Sequence, residues 1–123
     1  MKLYSIYFSA RGTTQKCARQ IAGGLGLPLA AEHNWLNRDS RSAIALTSED
    51  VLLFCMPVYG GFIPQLCAQL TGGLKGSGTP AVIAAVYGNR HYDNALLQMK
   101  DILTAQGFKV IAAGAFLAEH SIF

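Results

Sequence analysis

Charge is scarce in this chain: Asp, Glu, Lys and Arg make up 14% of its 123 residues, against 51% hydrophobic residues. The net charge of +3 comes from Lys and Arg scattered singly. It forms no clustered basic stripe of the kind that marks a nucleic-acid surface, so no nucleic-acid partner is expected. Long apolar runs are lacking as well. Nothing approaches the roughly 18–20 residues of a membrane span, and the start, Met1-Lys2-Leu3-Tyr4-Ser5, reads as a strand rather than a signal peptide. A soluble, cytoplasmic protein with no membrane partner is expected. The cysteines, Cys17, Cys55 and Cys67, are odd in number and lack C-x-x-C spacing. A disulfide framework and a zinc or iron–sulfur site are therefore not suggested, and buried apolar filler is the expected role. Repeats and low-complexity segments are absent. Neither a P-loop nor a G-x-G-x-x-G fingerprint occurs. What remains is apolar material sufficient for one domain with a core and too short for two.

Five stretches rich in Val, Ile, Leu, Tyr, Phe or small Ala read as strands: residues 2–8, 27–31, 51–56, 81–87 and 108–117. The third and fourth hardly alternate with polar residues, as strands covered on both faces of a parallel sheet do not. Between the first two, Ala18, Ile21, Ala22 and Leu25 fall at i, i+3, i+4, i+7 and stop at Gly26, which predicts a helix with a glycine C-cap. Pro64 suits the first position of a short helix that reaches Leu70, with Leu66 and Leu70 one turn apart and Gly72-Gly73 ending it. Asp93 or Asn94 can cap a third helix whose inward stripe is Leu96, Met99, Ile102 and Leu103, closed by Gly107. Residues 34–49 carry mixed charge and little periodicity, so they read as a long connection with at most a turn or two of helix. Strand and helix alternating through short loops is the pattern of right-handed βαβ units, and predicts an open α/β sheet with helices on both faces. Ligands of such sheets sit beyond the carboxyl ends of the strands, which directs attention to the loops after the first, third and fourth strands.

The first loop is Ser9-Ala10-Arg11-Gly12-Thr13-Thr14. Hydroxyls at Ser9, Thr13 and Thr14, a glycine that admits a close approach, and the unpaired N–H groups of a helix start make an anion site. A plain capping loop, with Ser9 or Thr13 satisfying the helix end, accounts for the same residues. The second loop is Pro57-Val58-Tyr59-Gly60-Gly61-Phe62-Ile63-Pro64, stiff at its prolines and free to change φ/ψ at Gly60-Gly61. Phe62 and Ile63 are expected in the core, and Tyr59 outside it. The third loop is Tyr87-Gly88-Asn89-Arg90-His91-Tyr92-Asp93. Tyr87 is expected to be buried at the strand end, whereas Tyr92 and Tyr59 share an edge where two tyrosines can hold a flat ring by stacking.

A phosphate loop after the first strand with aromatic loops after the third and fourth resembles the flavodoxins, over nearly the whole chain. The stretch from Ile6 through Ser9, Thr13 and Ala18 to Ile21 is similar to the flavodoxin signature around the FMN phosphate, with Ser5 departing from its usual first aliphatic position. The strings Pro57-Val58-Tyr59-Gly60-Gly61, Tyr87-Gly88-Asn89-Arg90 and Ala118-Glu119-His120-Ser121-Ile122-Phe123 resemble flavodoxin-like regions that precede ferredoxin modules in anaerobic bacteria. The resemblance implies a five-stranded parallel sheet of order 2-1-3-4-5 in one domain over 1–123, cut short after strand five where a flavodoxin has a fifth helix. It implies FMN as cofactor, Tyr92 stacking on the isoalloxazine, polar ring contacts from Gly88 and Asn89, and a peptide flip toward the reduced flavin at Gly60-Gly61. Arg11 stands where the family usually has a hydroxyl residue, which exchanges a hydrogen bond for a guanidinium, itself a strong phosphate partner.

The function these features imply is non-covalent FMN binding and electron transfer to a redox partner protein, such as an iron–sulfur ferredoxin module, with no catalytic acid, base or metal. A homodimer through the face left open by the missing helix is a further expectation. The cationic balance implies a less negative potential for the fully reduced flavin than in acidic flavodoxins. Two rivals remain open: an FMN-dependent NAD(P)H oxidoreductase, and a flavin-free interaction domain of the same fold. A response-regulator receiver needs clustered aspartates where this chain has Ser9 and Met56-Pro57.

Overall fold

The protein is described here by a computed structural model covering residues 1–88 and 93–118, with Asp93 defined by its backbone alone. In chain order the elements are β1 (Lys2–Tyr7), α1 (Thr13–Leu25), β2 (Leu29–Asn34), a 3-10 turn (Arg38–Ser40), β3 (Ile44–Ala45) and β4 (Asp50–Pro57). There follow α2 (Gln65–Leu70) running into a 3-10 turn (Thr71–Gly73), β5 (Leu74–Lys75), β6 (Thr79–Tyr87), α3 (Asp93–Ala105) and β7 (Phe108–Leu117). The five long strands form one parallel sheet in the order β2-β1-β4-β6-β7. Helices cover both faces, as the alternating pattern predicts. Among the described residues no helix is long and apolar enough to cross a membrane.

The central strands explain the sequence pattern. From Val51 to Pro57 every residue of β4 is buried, and β6 is buried from Ala81 to Val86. Strands sandwiched between two helical layers have no solvent face, so alternation disappears. On one face Leu3, Tyr7, Leu53, Cys55, Val82, Ala84 and Val86 pack under α1, where Ala18 is fully buried and Cys17, Ile21 and Ala22 are half-buried. On the other face Ile6, Phe54, Met56, Ile83 and Ala85 meet Cys67 of α2 and Ala95, Met99 and Leu103 of α3. Leu96 and Ile102 pack at the margin of that cluster. Burying a residue of this size stabilises the fold by about 1.5–3 kcal/mol, which is why the stripe, rather than intrinsic propensity, fixes α3.

Several details differ from the sequence reading. The second strand runs Leu29–Asn34, later than 27–31, because its pairing with β1 extends from Leu3↔Leu29 to Tyr7↔Asn34. Pro64 precedes α2 rather than opening it: its ψ of 137° is extended, while its carbonyl accepts the first helical bond from Ala68 N at 3.1 Å. The inward residue of α2 is Cys67, and Leu66 is exposed. The 34–49 connection contains, besides the short 3-10 turn, the two-residue β3, which pairs with β5 in a separate parallel ladder. It also places Trp35, 2% exposed, edge-on to Phe54 at 5.7 Å. The last described element is β7, whose Ile111, Phe116 and Leu117 are exposed.

The edge at which the strands begin is closed by backbone. Gly76 N donates to Gln106 O at 2.8 Å and Gly78 N to Gly107 O at 2.9 Å, while Gln106 Nε2 donates to Leu74 O at 2.8 Å. Gly107 has φ 93°, and a Cβ there would lie 2.3 Å from Gly76 O, so glycine alone fits. Among the described residues the opposite edge, where the strands end, is open.

Candidate functional site

At that open edge a pocket of about 490 Å³ is lined by Phe8, Ser9, Ala10, Arg11, Thr13 and Thr14 from the first loop, Pro57, Val58, Tyr59 and Gly60 from the second, and Val86, Gly88 and Ala118 from the ends of β6 and β7. The topology brings them together: β1, β4 and β6 lie side by side and all point the same way. Val58 N donates to Val86 O at 2.9 Å, which fastens the second loop to the end of β6, and Ala118 N donates to Tyr87 O at 2.7 Å.

The first loop is held in a defined shape. Ser9 Oγ accepts hydrogen bonds from Gly12 N at 3.1 Å and Gln15 N at 3.2 Å. Gly12, with φ 88°, makes the left-handed turn that brings the chain into α1. Gln15 is the third residue of that helix, so the serine performs the capping role anticipated as the plain alternative. Its side chain also donates from Nε2 to Tyr7 Oη at 2.9 Å. Burial pushes the Tyr7 phenol above its ordinary 10.0, against the opposing effect of that hydrogen bond.

Capping does not exhaust the loop. Among the described residues the N–H groups of Ala10, Arg11, Thr13 and Thr14 have no acceptor, and the hydroxyls of Thr13 and Thr14 make no hydrogen bond. All four residues line the pocket. Unpaired N–H groups at the positive end of a helix, with two hydroxyls and Arg11 in the same pocket lining, are the kind of donors that suit a phosphate-sized anion. No Asp or Glu lies among the described lining residues, so nothing there opposes an anion.

The second loop is a two-residue hairpin. Tyr59 N donates to Phe62 O at 2.8 Å and Phe62 N to Tyr59 O at 3.2 Å, and Gly60 and Gly61 have φ 61° and 91°. Two positive φ values define a type I′ turn, the form that favours glycine at both positions. The hairpin leaves Tyr59 61% exposed beside the pocket and turns Phe62 outward at 50%, contrary to the expected burial. Ile63 is in the core as expected, its N–H bonded to Gln98 Oε1 at 2.9 Å. Tyr87 is half-buried rather than buried. Gly12, Gly61 and Tyr87 shape the loops without lining the pocket. Asn89 and Tyr92, and the side chain of Asp93, lie outside the described residues.

Comparison with known proteins follows this geometry. No family model and no curated protein sequence matches the chain. Solved structures do: a flavodoxin from the domain Archaea superposes with a TM-score of 0.68 at 13% identity, covering 98% of this chain and 91% of that one. The chain has the flavodoxin-like fold. The two-electron reduced flavodoxin of Megasphaera elsdenii gives 0.65 at 18% identity over 95% and 86% of the two chains. A flavoprotein of Lactobacillus acidophilus, solved in complex with FMN, gives 0.63 at 15% over 93% and 92%. The flavodoxin-like strand order is the one the resemblance implied. Within this fold the sequence reading missed Phe8, Val86 and Ala118 as pocket residues, since strand-end apolar residues look the same in sequence whether they face a core or a cleft. It also missed Asn34, which lies behind the first loop.

Proposed function

We propose that this chain binds FMN non-covalently in the pocket at the carboxyl edge of the sheet and serves as an electron carrier. The observation that carries the reading is the coincidence of the unpaired N–H groups of Ala10, Arg11, Thr13 and Thr14 with Tyr59 on one pocket. Such a site matches a ligand with a phosphate at one end and a flat ring at the other. The solved flavodoxins and the FMN complex of similar fold support it.

When bound, the isoalloxazine supplies the redox chemistry. The chain's own residues bind and orient. The loop 9–14 holds the phosphate with N–H groups, Thr13 and Thr14 hydroxyls and Arg11, each charge-assisted bond contributing about 1.5–3 kcal/mol. Tyr59 offers its ring as a stacking surface, and Gly88 leaves space for the ring edge. The Gly60-Gly61 peptide sits between two residues that tolerate either sign of φ, so it can reverse without moving Tyr59 or Phe62. No residue is required as acid or base.

The test is a fluorescence titration of the purified protein with FMN and with riboflavin, alongside the visible spectrum. FMN should bind more tightly than riboflavin; equal affinities refute the phosphate assignment. Steady NAD(P)H oxidation by the FMN-loaded protein alone would refute the carrier assignment in favour of an oxidoreductase.

A further inference from the structure

Asn34, the last residue of β2, pairs with Tyr7, the last residue of β1, and its side chain reaches past that pair to Ser9. Its Oδ1 accepts the Ser9 N–H at 3.0 Å, and its Nδ2 donates to Ser9 O at 3.0 Å. The carboxamide therefore pairs with both backbone groups of Ser9, as the peptide of a neighbouring strand would. The same Oδ1 accepts Leu36 N at 3.1 Å, and the Asn34 carbonyl accepts Asn37 N at 3.0 Å. An oxygen facing two N–H groups and a nitrogen facing a carbonyl fix the orientation of the amide.

Backbone Ser9 so held directs its side chain toward α1, where Oγ accepts Gly12 N and Gln15 N. Those bonds set the curvature of the loop, in which the N–H groups of Thr13 and Thr14 have no acceptor among the described residues while both residues line the pocket. The chain of contacts is continuous: Asn34 holds Ser9, Ser9 holds Gly12 and Gln15, and Ala10, Arg11, Thr13 and Thr14 keep unpaired donors in the pocket lining.

We propose that Asn34 is a positioning residue for the phosphate cradle, conferring the preference for a phosphorylated flavin over the bare one without itself lining the pocket. The proposal rests on the FMN reading above. Only a carboxamide of this length can both accept from Ser9 N and donate to Ser9 O. Alanine removes both bonds, and aspartate keeps the acceptor, loses the donor and sets a negative charge behind the anion site.

The test measures FMN and riboflavin affinity for Asn34→Ala and Asn34→Asp, with amide exchange followed by NMR in the absence of ligand. Asn34→Ala should weaken FMN roughly ten- to a hundredfold and riboflavin by less than about threefold. Asn34→Asp should show an FMN deficit that shrinks as salt rises. The Gly12 and Gln15 amides should exchange faster in Asn34→Ala, while those of α3 do not change. Equal losses for FMN and riboflavin, or an unchanged FMN affinity, overturn the proposal. Wild-type protein with no preference for FMN refutes the phosphate reading instead; unaltered exchange at Gly12 and Gln15 then overturns the clamp on its own terms. Should Asn34→Ala not fold, Asn34→Asp carries the same decision.

Discussion

Ser9 and Thr13 stand in the same loop and carry the same functional group, yet their hydroxyls face different demands. Ser9 is 7% exposed and its Oγ accepts two backbone N–H groups, whereas the Thr13 hydroxyl has no partner among the described residues and the residue lines the pocket. Replacing Ser9 with alanine removes a helix cap, at about 1–2 kcal/mol. For a chain of this size each kcal/mol corresponds to roughly 3–5 °C in Tm. Ser9→Ala should therefore melt several degrees lower and also lose FMN affinity, because the loop loosens. Thr13→Val preserves shape and helix propensity, so stability should change by less than about 0.5 kcal/mol. If the hydroxyl donates to a phosphate, its loss removes a bond worth about 1.5–3 kcal/mol, and FMN should bind roughly ten- to a hundredfold more weakly with riboflavin unaffected. Calorimetric melting and flavin fluorescence titration read both quantities. The reasoning fails if Thr13→Val binds FMN normally while Ser9→Ala loses only stability, since the loop would then be a helix cap and nothing more.

Tyr59→Ala, at a residue 61% exposed, should leave Tm within about a degree and weaken both FMN and riboflavin, because stacking is blind to the phosphate; selective loss of FMN would contradict its assignment to the ring. Gly107→Ala combines φ 93° with a Cβ 2.3 Å from Gly76 O and should destabilise the fold by more than about 2 kcal/mol, measured by urea unfolding. The neighbouring Cys55 thiol lowers Cys17 below its ordinary 9.0, Cys55 itself is raised well above it by that same hydrogen bond and by burial, and burial pushes Cys67 up to about 12. A maleimide at mildly alkaline pH should thus label half-buried Cys17 first, and Cys55 and Cys67 only on unfolding, as mass spectrometry of the peptides would reveal. Hydrogen bonds from Arg19 at 2.9 Å hold the Glu32 carboxyl below its ordinary 4.5 against the opposing effect of burial. A carboxyl lowered on folding stabilises the fold above its unfolded value and ceases to do so as pH falls through its folded value. Glu32→Gln should accordingly cost stability near neutrality and nothing in strong acid; a deficit that persists at low pH would refute the linkage.

The sheet was legible because β4 and β6 lack any polar alternation, and α3 because Met99 and Leu103 repeat at helical spacing. The loop leading into α1 and the capping by Ser9 were legible from residue types alone. The other contacts that give the loop its shape were not, since Asn34 meets Ser9 across a sequence separation of 25 and looks, in sequence, like the first polar residue of a connection. Trp35 escaped for the same reason: it sits in a mixed-charge segment, and only the turn after β2 drives it against Phe54. Phe62 shows a different limit. Its hydrophobicity argued for the core, but the pair of positive-φ glycines before it sets a hairpin whose geometry outranks the preference of one side chain.

The glycine contact between residues 76 and 107 has a bearing on how this protein can be re-engineered. With one end of the sheet sealed by main chain against main chain, added bulk there acts on the whole fold at once. At the other end, among the described residues, the first loop is held by the Asn34 and Ser9 side chains and the second by the backbone bond from Val58 to Val86. Transplanting loops from another chain should therefore succeed at residues 58–62 and, where Ser9 and Gly12 are kept, at 10–14, and fail at 76–78 and 106–107. A library built on this scaffold can spend its diversity entirely at one pole.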